Sequence, residues 1–288
     1  MSTDRSPSEL AEQLRLQREA WTAAAPGWDR TFDTFEAFAG PLSLELARAA
    51  RIADGDSVID VGCGNGEPSL TVARIVGPSG RVVGVDLALP MVENARRRAL
   101  GAGFANCTFH AGGAQDLAGL GPFDAAVSRF VLMLVPEPVA AARAIRSVLR
   151  PGARLAACVW GEGPEVPFCS VAPFALERAL GVAPAAADAP GPLRLGKPGA
   201  FADVLRAGGF VDIEEHTRRV EPRFASVEDG VRFYTEGSGS VRRTLDAAGP
   251  EDRARFAEEL ARVLAAQRGA DGSVVLTSTV RIAHGTAT

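Results

Sequence analysis

The sequence is short of several features that would assign it quickly. It has three histidines, His110, His216 and His284, and they show no metal-ligand spacing. It has four cysteines, Cys63, Cys107, Cys158 and Cys169, without a C-x-x-C pair. Neither a zinc site nor a disulfide framework is indicated, and free thiols in a reducing compartment are expected. One lysine, Lys197, stands against 30 arginines, an imbalance that carries no functional meaning. No apolar run approaches the roughly 18 residues of a membrane span. The opening stretch, MSTDRSPSELAEQLRLQ, has no apolar core of the signal-peptide kind. A cytoplasmic protein with no membrane partner is expected. Basic residues do not exceed acidic ones: 31 − 35 gives −4. That argues against a nucleic-acid module with a broad basic face.

What the chain does have is length and apolar content. Its 288 residues are 47% hydrophobic and 23% charged, which is ordinary for a globular chain. At roughly 100–200 residues per domain this is one large domain or two small ones. A chain of this size buries enough surface to fold without a disulfide or a metal.

The hydrophobic rhythm changes along the chain. Residues 9–50 have helical spacing, with Leu10, Leu14 and Leu16 leading to Trp21, a break at Pro26-Gly27, and a second helix pair over about 29–52 cut at Gly40-Pro41. Then come short apolar runs: SVIDV (57–61), RVVGV (81–85), NCTFH (106–110), FDAAVS (123–128) and RLAACVW (154–160). Helical stretches Pro68–Val76, Pro90–Gly101 and Glu137–Leu149 separate most of them, each punctuated by proline or glycine. Alternating buried strands and helices predict a parallel sheet covered on both faces. After Trp160 a Pro/Ala/Gly-rich segment holds one helix near Val171–Leu180. A helix at Phe201–Ala207 and a strand at Phe210–His216 follow, then a helical insert over about 226–268, then a final strand SVVLTSTVRIA (273–283) and a short tail. The two inserts follow strand ends, where α/β folds bind ligands, so they are expected to form a lid.

Two features carry chemistry. The first is Asp60-Val61-Gly62-Cys63-Gly64-Asn65-Gly66, a strand running into a turn with glycine at every second position. Such a turn suits a tight bend, and it also lets a ligand approach backbone N–H groups at a helix start. The second is Asp86, at the end of the next strand, 20 residues after Gly66. It is either the N-cap of the following helix or an acceptor for the two hydroxyls of a ribose. The spacing G-x-G-x-G differs from the G-x-G-x-x-G of dinucleotide folds, which speaks against a nicotinamide-dependent oxidoreductase.

These residues resemble class I S-adenosylmethionine-dependent methyltransferases, small-molecule enzymes of the ubiquinone/menaquinone-biosynthesis type. The resemblance lies in VIDVGCGNG (58–66), VVGVDLALPMVENAR (82–96), FHAGGAQDL (109–117), FDAAVSRFVLMLVPEP (123–138) and IRSVLRPGARLAACVW (145–160). It implies an α/β, Rossmann-like, seven-stranded and mostly parallel sheet with a reversed last strand, plus helical lid segments. The implied divisions are an N-terminal lid (1–54), a cofactor-binding core (55–160), a lid insert (161–196), a core continuation (197–220), a second insert (221–270) and a last strand with tail (271–288). It implies that Gly62 and Gly64 line the methionine and ribose part of S-adenosylmethionine, with Asp60 counted beside them. Asp86 would hold the ribose, Leu87 and Met91 would flank the adenine, and Ala114 and Gln115 would meet its edge. Ser128 and Arg129 would lie near the methionine end, and Trp28 would close over the cofactor or serve as a core aromatic.

The chain departs from the pattern in three places. Many relatives carry aspartate where Gly113 stands, so the adenine contact would come from Gln115, Asp116 or backbone. Ala153 replaces a second glycine before the fifth long strand. Leu132-Met133 stands where relatives often have a histidine base.

The resemblance implies methyl transfer to a small-molecule acceptor, a secondary metabolite, by a monomer or homodimer needing no metal. A repurposed fold that binds the cofactor without methylating is the alternative. Candidate acceptor-pocket residues are Phe32, Phe35, Phe38, Trp160, Phe168, Phe174, Phe233 and Tyr234, with Arg129, Arg232, Arg242 and Arg243 for an acidic acceptor. No histidine is expected to act as a base. His110 should face the core or a helix, His216 a solvated edge, and His284 the last strand.

Overall fold

The computed structural model describes residues 6–184, 186, 189–237 and 239–288. Helices α1 (Pro7–Arg30) and α2 (Phe32–Ala49) come first. Then follow β1 (Ser57–Val61), α3 (Ser69–Val76), β2 (Arg81–Asp86), α4 (Leu89–Gly101), β3 (Cys107–Ala111), β4 (Phe123–Arg129), α5 (Pro138–Ser147) and β5 (Leu149–Trp160). The second half holds α6 (Pro167–Leu180), α7 (Ala200–Ala207), β6 (Phe210–Val220), β7 (Arg223–Phe224), α8 (Val227–Gly237), α9 (Gly239–Ala247), α10 (Pro250–Ala265), β8 (Val274–Val275) and β9 (Ser278–Ala287).

Seven strands form one sheet in the order β3-β2-β1-β4-β5-β9-β6. The first five lie parallel, and β9 runs against both β5 and β6. The expected fold class, with its reversed last strand, is the one observed. β1 is buried at every residue and β4 at all but one, as strands covered on both faces must be. Prolines stand at the first turns of α4, α5, α6 and α10, where a missing N–H costs nothing.

Three sequence expectations change. Helix α1 runs through Pro26-Gly27 and α2 runs through Gly40-Pro41; the chain bends at Thr31 instead. Gly27 is there for packing: a Cβ would overlap the Glu236 carbonyl of α8. Burial of Phe38, Leu42 and Leu46 holds α2 together across its proline. The last strand also starts later and reaches further than 273–283. Val274 and Val275 pair instead with Arg223 and Phe224 in a separate ribbon, and β9 continues to Ala287. Among the described residues, no helix is long and apolar enough to cross a membrane.

Helix α2 is fixed to the sheet by a buried ion pair. Arg129, at the end of β4, is 5% exposed at its side chain. It grips both carboxylate oxygens of Glu36, one at 2.8 Å, and also donates to the Ala39 carbonyl at 2.9 Å and the Ser43 hydroxyl at 3.1 Å. Burial alone would pull this guanidinium's pKa down, but the facing Glu36 carboxylate more than offsets it and the charge is held. Glu36→Ala would leave Arg129 charged and unpaired, at a cost of about 3–5 kcal/mol. In urea unfolding, the double variant Glu36→Ala/Arg129→Met should regain part of that loss; strictly additive losses would mean the pair is not coupled.

Candidate active site

The carboxyl ends of β3, β2, β1 and β4 open into one cavity with an empty volume of about 1080 Å³, counting its open mouth. The floor follows strand order. Gly112 to Gln115 come from the end of β3, Asp86 and Leu87 from β2, Gly62 to Glu67 from the turn after β1, and Arg129 to Val131 from β4. Helix α1 supplies the roof with Leu14, Gln17, Trp21 and Trp28, and the following turn and α2 add Phe32, Phe35 and Glu36. The Gln17 amide latches α1 down by donating to the Leu134 carbonyl at 2.5 Å.

The turn after β1 explains its own glycines. Gly62 and Cys63 both donate N–H groups to the Val85 carbonyl, at 2.7 and 3.0 Å, so the turn folds back onto β2. Gly62 has φ +80°, and a Cβ there would lie under 3.0 Å from three side-chain atoms of Val131. Gly64 has φ +50°, and a Cβ there would point into open space. One glycine is required by the protein's own packing. The other leaves bare backbone beside the cavity, the kind of cradle a ligand fills.

Asp86 ties this turn to β2. Its Oδ2 accepts from Gly64 N–H and its Oδ1 from Ala88 N–H, both at 2.9 Å. Asp86 is not the N-cap that its place in the sequence allowed: Ala88 holds that position without a side-chain cap, and Asp86 braces the turn that leads into α4. That bond leaves room for a ligand, because a carboxylate has about four acceptor sites. Burial raises the Asp86 pKa, while the two N–H groups work to keep it ionised.

Leu87, Met91, Gly113, Ala114 and Gln115 line the cavity on the β2–β3 side. A side chain at 113 would collide with Gln115 and Asp116, so these two occupy the space an aspartate would take. Asp116 is exposed and accepts from Gly113 N–H at 3.2 Å, which leaves Gln115 as the side chain at the cavity edge. Trp28 lines the cavity and also packs, with Trp21, against Ala25, Ala88 and Met91. Its ring meets Phe35 edge-on at 5.1 Å. The Trp28 indole N–H is buried without an acceptor.

Two predicted site residues, Ser128 and Asp60, do not line the cavity. Ser128 is fully buried and donates to the Val61 carbonyl at 2.8 Å, bracing β4 on β1 rather than facing the cavity. Strand alternation puts its side chain in the sheet's packing, which a motif match does not reveal. Asp60 lies below the turn, fully buried, accepting from the Ser69 hydroxyl at 2.5 Å, with its other oxygen unpartnered. Arg129 does reach the cavity, but Glu36, Ala39 and Ser43 take up its donors, so it is not available to an acidic acceptor. Glu36 and Glu67 also line the cavity, outside every motif of the sequence. A carboxylate directly after Gly66, ahead of Pro68, was the available signal for Glu67.

Most of the candidate acceptor-pocket aromatics pack on one another. Phe130 and Trp160 stack at 4.4 Å, and Phe38, Phe168, Phe233 and Tyr234 extend the cluster between the sheet and α6 and α8. Only Phe32 and Phe35 of the expected set line the cavity. The Tyr234 hydroxyl donates to the Phe168 carbonyl at 2.6 Å, and burial pushes its pKa far up. Phe174 lies on the surface beside Arg178. Arg232 pairs with Asp229 and Arg242 with Asp246 along helix surfaces, and the Arg243 side chain lies outside the described residues.

No histidine lines the cavity. His110 is exposed on edge strand β3 rather than facing the core or a helix. His216 is on the exposed edge as expected, bonded to Glu45 at 2.9 Å, and His284 is buried in β9. Burial raises the pKa of all four cysteines, Cys107 and Cys158 to about 12, so none is a ready nucleophile.

A doubly wound sheet with a ligand cavity at the strand ends, a glycine turn and an acid on the neighbouring strand defines a nucleoside-cofactor protein. Comparison with known proteins narrows the class. Residues 52–164 match the methyltransferase domain model. The chain is 33% identical to nocamycin O-methyltransferase of Saccharothrix syringae over 259 residues, covering 86% of this chain and 91% of that one. It is 37% identical to a ubiquinone biosynthesis O-methyltransferase of Xanthomonas axonopodis pv. citri over 150 residues, 51% of this chain and 59% of that one. The fold is shared with the cyclase SpnF, at a TM-score of 0.53 and 20% identity over 91% of this chain and 94% of that one. It is shared equally with a Haemonchus contortus phosphoethanolamine N-methyltransferase, at a TM-score of 0.53 and 16% identity over 90% of this chain and 57% of that one. The chain belongs to the S-adenosylmethionine-dependent methyltransferases, with S-adenosylmethionine as its cofactor.

Asp60 generates a pH prediction. Burial pushes its carboxyl up to about 7 from 3.8, against the opposing pull of the Ser69 hydroxyl and Arg129. The folded chain therefore keeps a proton that the unfolded chain releases. This contribution is fully present below pH 3.8, is lost as pH rises to about 7, and is constant above that. Asn at this position keeps an acceptor for Ser69 and stays neutral. The Tm of Asp60→Asn relative to the natural chain should rise from pH 5 to pH 8; an offset equal at both values would show that Asp60 is ionised throughout.

Proposed function

We propose that the cavity at the ends of β3, β2, β1 and β4 holds S-adenosylmethionine, and that the enzyme methylates an oxygen of a small, ring-bearing secondary metabolite in the cytoplasm. The observation that carries the site is the order of the floor. Apolar Met91 and Ala114 line one end, the carboxylate of Asp86 comes next, and the bare backbone of Gly64 follows, an order that suits a base, a ribose and the chain beyond it. The orphaned Trp28 N–H also suits a ligand that brings acceptors. Oxygen as the methylated atom and a natural product as acceptor are supported by the relative from Saccharothrix, which spans almost the whole chain.

When bound, S-adenosylmethionine supplies an electrophilic methyl on a sulfonium. The protein's part is to fix the two partners and keep water out. Asp86 and the glycine turn orient one partner, while α1, latched by Gln17, closes the roof. The apolar share of the lining, with Leu14, Trp21, Phe32, Phe35, Phe130 and Leu134, suits a planar or isoprenoid body. With no histidine in the cavity, an ionisable phenol or enol fits better than an unactivated alcohol. Among the described residues there is no group of three His, Cys, Asp or Glu side chains able to hold a metal ion.

Calorimetry tests the site. S-adenosylhomocysteine should bind and NAD(H) should not. Asp86→Ala removes a charged acceptor and should weaken S-adenosylhomocysteine about ten- to hundredfold. An unchanged Kd would reduce Asp86 to bracing the two turns it bonds. For the reaction, methyl-labelled S-adenosylmethionine with a panel of phenolic and enolic metabolites should give O-methyl products in the presence of EDTA. Label appearing only on nitrogen or carbon, or transfer abolished by EDTA and restored by magnesium, would contradict the proposal.

A further inference from the structure

Four charged side chains line the cavity: Glu36, Glu67, Asp86 and Arg129. Arg129 and Glu36 neutralise each other in a two-pronged pair. Asp86 is held by two N–H groups. Glu67 is different. Among the described residues its carboxylate takes hydrogen bonds from Thr71 alone, from the N–H at 3.3 Å and from the side chain. Nor does it form an ion pair, although Arg129 lies close enough to donate to its backbone carbonyl at 3.4 Å. Burial raises its pKa above the usual carboxylate value, against the opposing pull of the Thr71 hydrogen bonds and the Arg129 charge, and the nearby Glu36 carboxylate adds to the rise. Arg129 is committed to Glu36, so this half-buried carboxylate has no cation of its own, and a ligand that brings one would stabilise it.

The sheet order says which part of the cofactor arrives there. If adenine lies at the ends of β3 and β2 and the ribose at Asp86, the methionine portion must run on over β1 and β4, because the cavity continues that way. Glu67 begins the segment between the turn after β1 and α3, and it adjoins Arg129 at the end of β4. We infer that Glu67 holds the ammonium group of the cofactor's methionine portion. This rests on the cavity being the cofactor site. Glu67 then pairs with the one cation that every molecule of cofactor carries at that end, in product as well as in substrate form. Arg129 stays with Glu36 and keeps α2 in place above.

The test is calorimetry on the full chain with two ligands. S-adenosylhomocysteine has the ammonium and carboxylate; 5′-methylthioadenosine keeps the adenosine and thioether and has neither. Glu67→Gln preserves size and an acceptor for Thr71 N–H, and its Tm checks the fold. It should weaken S-adenosylhomocysteine about ten- to hundredfold, the range expected for a bond to a charged group. Methylthioadenosine should change by less than about twofold. Asp86→Asn, by contrast, should weaken both ligands together. Equal losses of both ligands in Glu67→Gln would mean that Glu67 shapes the turn, and no loss of either would mean that it faces the acceptor; each overturns the inference while leaving the cofactor site standing. A natural chain that binds neither ligand would remove the site and this assignment with it.

Discussion

One carboxylate joins the two halves of the site. Asp86 ends β2, yet it bonds to Gly64 in the turn after β1 and to Ala88 at the start of α4. The turn can fold back to meet it because Gly62 and Cys63 hang from the Val85 carbonyl and because Gly62 has no side chain to strike Val131. Remove that arrangement and the floor at the ends of β2, β1 and β4 loses its register. A site built on rigid strand ends in this way can orient a flexible ligand without moving, which is the main service a methyl-transfer enzyme renders.

The roof depends on a second buried charge. Arg129 is anchored in β4 and spans to α2, so a floor residue fixes the position of a helix that borders the cavity. Behind it, the aromatic cluster of Phe38, Phe130, Trp160, Phe168 and Phe233 fills the space between sheet and inserts. Phe130 belongs to both regions: it lines the cavity and stacks on Trp160, at a positive φ of 61° that bulky residues rarely adopt. The inserts that read as lid decoration are thus joined to the cavity wall by continuous packing.

The sheet was legible because buried parallel strands are nearly continuous apolar runs bounded by glycine and proline. The turn after β1 and Asp86 were legible because their spacing is set by backbone geometry. Helix ends were less so. Pro26 and Pro41 are strong local stops, and both are overridden by burial of the surrounding faces. Ser128 and Asp60 sit in the right motifs, but alternation along a strand and the fold of the turn send their side chains inward. Glu36 acquires its partner from 93 residues away in sequence, which no local pattern shows, and Glu67 follows the glycine motif without belonging to it. The aromatic residues read as a pocket wall because composition cannot tell a ring that lines a cavity from a ring that fills it.

A crystal structure with S-adenosylhomocysteine should show adenine between Met91 and the segment 113–115, ribose hydroxyls on Asp86, and the amino-acid end over β1 and β4 beneath α1. The ligand bound elsewhere, or bound in this cavity with its ribose away from Asp86, would contradict that placement.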